Sequence, residues 1–296
     1  VGGVGSTGCD SGNHIADKAD LIIGVGTRYS DFTTASKTQF KNPDVKFVNI
    51  NVTPFDAAKE SAEMVVADAR EALAALKEAL ADYHVEAAYS EEITAEKEAW
   101  LKATERCYHL DHGPLPAQTE VFGALNELMG EEDVVINAAG SMPGDLQALW
   151  QARSPLQYHV EYAFSCMGYE VPAAMGVKLA RPDAEVVSIV GDGTYQMLPM
   201  ELATVVQENI KVIYVLLQNY GFCSIGALSE SRGSQRFGTK YRQRGEGSHL
   251  ADEQVIDGVN IAVNARSWGL DVLEVHTIEE FKEAYRRAEA SDRPTM

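Results

Sequence analysis

The chain has 296 residues, a length that suggests about two domains, and its apolar fraction of 45% is ordinary for a globular protein. Its 25 basic and 44 acidic side chains give a formal net charge of −19, which argues against nucleic acid and anionic membranes as partners. The longest apolar runs have strand length and fall short of the roughly 18 residues of a membrane span. We therefore expect neither nucleic-acid nor membrane binding.

The four cysteines favour a reducing compartment. They are scattered, without a CxxC pair or a histidine at zinc spacing, at positions Cys9, Cys107, Cys166 and Cys223. Neither a disulfide framework nor a structural zinc site is indicated, and a cytoplasmic location fits best. The glycine-rich opening after Val1 and the lack of a strand after the final helix lead us to expect an internal fragment of a longer protein.

The first part of the chain alternates strand and helix signals. Short apolar runs predict three strands, at 19–26, 46–52 and 64–67. Leucines on one face predict a helix over 69–81, and a charged helix is predicted over 90–108.

A linker signal follows at 110–116, where the sequence reads Leu-Asp-His-Gly-Pro-Leu-Pro. The charged helix before it is mostly polar, so we interpret it as a connector between two domains. We therefore predict a first domain over 1–88, a helical connector and linker over 89–117, and a second domain over 118–296.

The second part of the chain alternates in the same way. Helices are predicted over 119–129, 168–180, 200–208, 255–267 and 277–290. Strands are predicted over 134–137, 185–190, 211–217 and 271–275, and a long polar loop over 222–252. Because strands rich in Val and Ile throughout are buried on both faces, we predict two doubly wound α/β domains with parallel sheets, both truncated.

Two successive strands of the second part end in residues suited to a metal. The sequence Gly-Asp-Gly-Thr at 191–194 follows the first, and Gln-Asn-Tyr-Gly at 218–221 follows the second. The 24 residues from 194 to 217 between Gly193 and Gln218 are enough for one helix and one strand, so the two strands can be neighbours. Ligands of parallel sheets bind at the carboxyl ends of the strands, and carboxylate and amide oxygens suit Mg²⁺. The pattern predicts a Mg²⁺ site at Asp192 and Asn219.

Each half of this pattern is a weak signal alone, because Gly-Asp-Gly or an Asn after a strand also occurs in ordinary turns. The pair at this spacing resembles the signature of thiamine diphosphate-dependent enzymes, in which Gly-Asp-Gly is followed by an Asn pair. Gln218 departs from that pair, whereas Asn219 matches its metal-binding position. The resemblance implies that the Mg²⁺ ligands are Asp192, Asn219 and the Gly221 carbonyl, and that the diphosphate lies beside Gly191, Gly193 and Thr194.

Two further segments extend the resemblance. The segment 164–176 resembles the stretch in which a bulky apolar residue supports the bent cofactor, which implies that role for Met167, next to Gly168. The alternative for Met167 is a core methionine. The segment 137–142 resembles the loop that contacts the diphosphate, although the His common there in acetolactate synthases is absent. It implies cofactor contacts for Gly140, Ser141 and Met142.

The resemblance covers nearly the whole chain. It implies a Rossmann-like middle domain followed by a pyrophosphate-binding domain. The Glu that activates the cofactor in this family belongs to an N-terminal pyrimidine domain outside this sequence, so no catalytic residue is assigned and the fragment alone is expected to be inactive. The full-length protein is expected to be a homodimer or homotetramer.

Several stretches, among them 24–36 and 139–150, match one branch of the family best. Its members use thiamine diphosphate and Mg²⁺ to hydrolyse a C–C bond of a cyclic polyol dione, giving 5-deoxyglucuronate in myo-inositol degradation. The resemblance therefore implies a hydrolase with a small-molecule substrate. An acetolactate synthase-like carboligase or a decarboxylase acting on 2-keto acids would use the same cofactor residues and stays open.

A nucleotide-binding module is an alternative from another class. The turn Gly24-Val-Gly26 lacks the rest of the G-x-G-x-x-G pattern, so NAD binding is not predicted, and FAD or ADP binding is left open. The loop 222–252 is interpreted either as a cover that contacts the polyol or as a solvated surface loop. Its basic side chains are Arg232, Arg236, Lys240 and Arg242.

Overall fold

The computed structural model describes residues 1–162, 164–241 and 259–296. The chain divides into two compact units, one of Val1–Arg106 with Gln147–Leu149 and the other of Cys107–Leu146 with Trp150–Met296. Each unit is built on one parallel β-sheet with helices in the connections. The predicted α/β class with parallel sheets is confirmed. The domain bounds at 88 and 117 stay a prediction.

The first unit holds a three-stranded sheet. Its strands, in the order β1-β2-β3, are β1 Leu21–Val25, β2 Lys46–Asn51 and β3 Glu63–Val66. All three run parallel, with Leu21 opposite Lys46 and Val48 opposite Glu63. The helices are α1 Asp10–Lys18, α2 Asp31–Thr34, α3 Pro54–Ala57, α4 Ala69–Ala79 and, except for its last two residues, α5 Ala87–Tyr108, with a 3₁₀ turn at Lys59–Ser61.

Local capping explains where two of these helices begin. The Asp68 carboxylate accepts hydrogen bonds from the backbone N–H groups of Arg70 and Glu71 at 2.9 and 3.4 Å, so it caps α4. The Cys9 thiol accepts from Gly12 N at 3.4 Å and caps α1, a helix that the glycine-rich sequence did not predict. A cysteine is an uncommon cap, which is why the pattern missed this helix.

The second unit holds a four-stranded parallel sheet in the order β5-β4-β6-β7. Its strands are β4 Val134–Asn137, β5 Tyr158–Val160, β6 Val186–Gly191 and β7 Ile213–Leu217. Its helices are α6 Gln118–Leu128, α7 Met142–Leu149, α8 Glu170–Ala180, α9 Asp192–Tyr195, α10 Glu201–Gln207, α11 Cys223–Ser231, α12 Ile261–Trp268 and α13 Ile278–Glu289. Strands β4 and β6 are buried along their whole length, as expected for strands covered on both faces.

Two predicted elements differ from the structure. The segment 271–275 is not a strand, because only Asp271 makes a bridge, to Thr295, and Thr295 also bridges to Ile213 of β7. The chain end thus occupies the place beside β7. Helix α11 takes up the first part of the predicted loop 222–252, whereas residues 242–252 and the start of the predicted helix 255–267 lie outside the described residues. Within the described segments, no helix is long and apolar enough to cross a membrane.

Candidate cofactor and metal site

Strands β6 and β7 place the two segments predicted to bind Mg²⁺, 191–194 and 218–221, at one edge of the sheet. They pair in parallel, with Gly191 opposite Leu217 at their carboxyl ends. Asp192 and the segment 218–221 therefore leave neighbouring strands side by side. The predicted adjacency of these two strands is confirmed.

The Asp192 carboxylate joins the two turns. It is 1% exposed, and its Oδ1 accepts a hydrogen bond from Gly193 N at 2.8 Å. Its Oδ2 accepts from the backbone N–H groups of Tyr220 and Gly221 at 2.6 and 3.3 Å. Burial raises the pKa of Asp192, while these backbone N–H groups oppose the rise. The carboxylate is thus fixed by the backbone of the opposite turn.

Asn219 brings a second side chain to the same point. One terminal atom of its amide lies 2.9 Å from the Gly221 carbonyl oxygen and 3.3 Å from Asp192 Oδ1. An amide nitrogen in this position donates a hydrogen bond to both oxygens. Turning the amide over would instead present its oxygen beside the Asp192 and Gly221 oxygens, an arrangement that a bound cation would stabilise.

The spacing of these three groups fits a hard divalent cation. An octahedral Mg²⁺ bound at about 2.0–2.1 Å places neighbouring ligand oxygens about 3 Å apart, close to the observed separations. Across the described segments, no group of three or more His, Cys, Asp or Glu side chains could hold a metal. The candidate set is instead one carboxylate, one amide and one backbone carbonyl, the oxygen donors that Mg²⁺ prefers.

Close packing makes glycine necessary at two of the predicted positions. A Cβ on Gly193 would lie 2.9 Å from two ring carbons of Phe222, and a Cβ on Gly221 would lie 2.2 Å from the Thr239 carbonyl oxygen. The backbone N–H of Phe222 donates to that same Thr239 oxygen at 2.7 Å. The segment 222–252, interpreted from the sequence as either a cover or a solvated loop, therefore pairs at Thr239–Lys240 with the backbone of the turn at 218–221.

The basic side chains of that loop have separate environments. Arg236 forms an ion pair with Glu230, and Lys240 is the bridge partner of Gly221. Arg232 is exposed just after α11, and Arg242 lies outside the described residues. A role for this segment in contacting a substrate stays a prediction.

The turn after β4 contacts the end of β6 through Met142. This side chain is 3% exposed, and its methyl group would lie 3.0 Å from a Cβ on Gly191 and 3.6 Å from a Cβ on Gly140. The Ser141 hydroxyl donates to the Gln118 side chain at 3.1 Å. The structure thus brings the segment 140–142 together with the Gly-Asp-Gly turn.

A third segment approaches the same turn from the start of α8. The backbone N–H of Gly168 donates to Thr194 Oγ1 at 2.9 Å, and the Thr194 hydroxyl donates to Glu170 Oε2 at 3.2 Å. Met167, next to Gly168, is 38% exposed. Because the Thr194 hydroxyl is engaged in internal bonds, a contact from Thr194 to a cofactor would come from its backbone.

Sequence reasoning missed two residues of this region. Glu170 is completely buried and links two turns, and Phe222 packs its ring against Gly193. The only sequence signal for Glu170 is a single acidic residue opening the apolar helix Glu-Val-Pro-Ala-Ala-Met-Gly-Val. No periodicity marks Phe222, since it precedes α11 rather than lying within it.

Comparisons with known proteins match both parts of the chain to one enzyme family. Residues 138–296 match the model of the C-terminal TPP binding domain of thiamine pyrophosphate enzymes, and residues 1–76 match the central domain of the same enzymes. The chain belongs to the thiamine pyrophosphate enzyme family. The family model thus includes Gly140–Thr194 and the metal-type turn at 218–221, and thiamine pyrophosphate (thiamine diphosphate) is the cofactor of its binding domain.

The chain is similar to several curated hydrolases of this family. It is 41% identical over 308 residues to 3D-(3,5/4)-trihydroxycyclohexane-1,2-dione hydrolase of Bacillus cereus strain AH820, covering 96% of this chain and 48% of the relative. It is 41% identical over 320 residues to hydrolase 2 of a second B. cereus strain, covering 100% and 50%. The corresponding hydrolase of B. anthracis strain CDC 684 / NRRL 3495 is 40% identical over 308 residues, covering 96% and 48%. The chain spans about half the length of these relatives.

Proposed function

We propose that this chain is part of a thiamine diphosphate- and Mg²⁺-dependent hydrolase that cleaves a C–C bond of 3D-(3,5/4)-trihydroxycyclohexane-1,2-dione to give 5-deoxyglucuronate in myo-inositol degradation. The observation that carries the proposal is the convergence of Asp192, Asn219 and the Gly221 carbonyl within a matched TPP binding domain. The names of the 40–41% identical relatives support the substrate.

In this proposal the three converging groups hold Mg²⁺, which in turn binds the diphosphate. The residues assigned to the cofactor are Gly140, Ser141, Met142, Met167, Gly168, Gly191, Gly193 and Thr194. Backbone N–H groups of the turns neutralise part of the diphosphate charge, so no basic surface is needed on a chain of net charge −19.

Thiamine diphosphate supplies an electron sink for carbanion chemistry when it is bound. The residues of this chain bind and orient it, and none of those assigned above transfers a proton. Asp192 is engaged by three backbone N–H groups, which suits it to hold a cation rather than to act as a general base.

Three further properties belong to the proposal. The substrate is a small molecule, the complete protein is a homodimer or homotetramer, and its compartment is the cytoplasm. The four free cysteines support the cytoplasm.

The proposal is tested on the complete protein that carries these residues. Isothermal titration calorimetry should detect thiamine diphosphate only when Mg²⁺ is present, and no binding of NAD or ADP at the same concentrations. With both cofactors bound, the protein should open the cyclic dione and leave pyruvate unconsumed. Pyruvate consumption without ring opening would support the keto-acid carboligase or decarboxylase instead, and Mg²⁺-independent binding would contradict the metal assignment.

A further inference from the structure

Glu170 is a buried carboxylate that the assignments above leave without a role. It is the first residue of α8, it is 0% exposed, and apolar residues follow it. A buried carboxylate is unfavourable unless hydrogen bonds satisfy it, so its partners identify what it does. Its backbone is also fixed, since the Ser188 hydroxyl of β6 donates to the Glu170 carbonyl oxygen at 3.1 Å.

The two carboxylate oxygens of Glu170 reach two different turns. Oε1 accepts from the backbone N–H of Ala139, in the turn after β4, at 2.9 Å. Oε2 accepts from the Thr194 hydroxyl, in the turn after β6, at 3.2 Å. Thr194 Oγ1 in turn accepts from Gly168 N at 2.9 Å, which ties in the segment that carries Met167. One side chain thus connects the three segments to which the cofactor residues are assigned.

The donors to Glu170 are neutral, a backbone N–H and a hydroxyl. Burial raises the pKa of Glu170, and the hydrogen bonds from Ala139 and Thr194 oppose the rise. A side chain held only by directional hydrogen bonds fixes the distance between its partners. Loss of the carboxylate would therefore free the turn after β4 to move relative to the Gly-Asp-Gly turn.

We propose that Glu170 is a positioning residue for the diphosphate site: it fixes the turn at 138–142 against the turn at 191–194 and thereby sets the affinity for thiamine diphosphate. The proposal rests on the thiamine diphosphate binding proposed above. Glu170 acts through Ala139 and Thr194, whose polar groups it engages, and it does not itself contact the cofactor.

The test compares two substitutions of Glu170 in the complete protein. Glu170→Ala removes both acceptors, whereas Glu170→Gln keeps one oxygen for the Ala139 N–H and offers an amide to the Thr194 hydroxyl. Supporting residues around a metal site typically change affinity by 10–100-fold. We expect the Kd for thiamine diphosphate at saturating Mg²⁺, measured by calorimetry, to rise about 100-fold in Glu170→Ala and about 10-fold in Glu170→Gln.

Glu120→Ala is the matched control. Glu120 is another buried glutamate of the same unit, and its oxygens accept from the backbone N–H groups of Asp111 and Ala117 at 2.9 and 2.8 Å, neither of which is an assigned cofactor residue. Glu120→Ala should lower the melting temperature while leaving the Kd for thiamine diphosphate within about twofold of wild type, because the partners of Glu120 belong to other segments.

The outcomes separate this proposal from the function on which it rests. A wild-type protein that fails to bind thiamine diphosphate overturns both. If the wild type binds normally and Glu170→Gln and Glu170→Ala bind within twofold of it, only the positioning role is overturned. An equal loss of affinity in Glu120→Ala also overturns it, since the effect would then follow general destabilisation. Should Glu170→Ala fail to fold, the Glu170→Gln measurement decides.

Discussion

Both parallel sheets carry buried asparagine side chains, and the surroundings satisfy these side chains to different degrees. In the first unit, Asn49 is buried in β2, where it accepts a hydrogen bond from the Tyr29 hydroxyl at 2.9 Å. Its amide nitrogen donates to the carbonyl oxygens of Ala57 and Lys59 at 3.2 and 2.9 Å. The hydrogen-bonding groups of the Asn49 side chain are therefore occupied by loop residues of the same unit.

In the second unit, Asn137 at the end of β4 has a buried Oδ1 with no hydrogen-bond partner among the described residues. At the neighbouring strand ends the Asn219 amide lies against Asp192 Oδ1 and the Gly221 carbonyl oxygen, and backbone N–H groups engage the Asp192 carboxylate. The comparison teaches that a buried asparagine points to a ligand only where one of its polar atoms lacks a partner, as Asn137 Oδ1 does and Asn49 Oδ1 does not.

Glycines in the two units lead to a related lesson. A Cβ on Gly24 of the first unit would lie 2.2 Å from the Tyr29 hydroxyl, just as one on Gly193 would meet the ring of Phe222. Both glycines make room for an aromatic side chain of their own unit. A glycine in a turn after a strand is thus not by itself evidence of a phosphate site, because it can equally make room for a side chain of the protein.

The largest effect is expected from Asp192→Ala, which removes the carboxylate that lies against the Asn219 amide in the second unit. We expect the Kd for thiamine diphosphate in the presence of Mg²⁺ to rise by at least about 100-fold, since loss of a direct ligand should exceed the 10–100-fold effect of supporting residues. Calorimetry with Mg²⁺ and with EDTA measures this. In EDTA the wild type should bind as weakly as the variant.

Asp133→Ala provides the control for this measurement. Asp133 precedes β4 at the opposite, amino edge of the same sheet, where its Oδ1 accepts from Glu185 N at 3.2 Å. Its loss should lower stability and leave the Mg²⁺-dependent affinity unchanged. Unaltered binding by Asp192→Ala would contradict a metal-binding role for Asp192. An equal loss of affinity in Asp133→Ala would show that the effect follows general destabilisation of the second unit.

An intermediate effect, on stability alone, is expected from Asn49→Ala in the first unit. The substitution leaves the Tyr29 hydroxyl and two loop carbonyls without their partner, and each unsatisfied buried group costs about 1–3 kcal/mol. Urea unfolding should report that loss, while the Kd for thiamine diphosphate stays at the wild-type value. Asn49→Asp keeps the acceptor for Tyr29 but places a buried carboxylate against the carbonyl oxygens of Ala57 and Lys59, so it should be destabilised at least as much. A changed Kd in either variant would show that the sheet of the first unit also serves the cofactor.

The sequence predicted that β6 and β7 are neighbours because both strands are continuous apolar runs and the span between them is short. It predicted the convergence of Asp192 and Asn219 because parallel strands end at one edge. It did not predict Glu170, since a lone acidic residue carries no periodic signal and its partners lie 31 and 24 residues away in the chain. The strand predicted at 271–275 is wrong for a similar reason, because a residue distant from β7 in the chain, Thr295, forms the bridge to Ile213 of β7.

The smallest effect is expected from Glu161→Gln, which tests how much Glu161 stabilises the backbone of the segment before Met167 in the second unit. Glu161 Oε2 accepts from Cys166 N at 2.8 Å and Oε1 from Phe164 N at 3.1 Å. The hydrogen bond from the Cys166 backbone is the main reason why the pKa of Glu161 lies below its usual value.

A lowered pKa in the folded state means that ionised Glu161 stabilises the fold above the unfolded-state pKa, and that this contribution is lost as the pH falls through the folded-state pKa. Solvent weakens the interaction at this partly exposed site, so we expect Glu161→Gln to lose less than about 1 kcal/mol at pH 7. Urea unfolding at pH 7 and pH 3 measures it, and the difference from wild type should shrink at pH 3. A difference that is constant with pH would mean that packing, and not the charge of Glu161, holds the turn beside Met167.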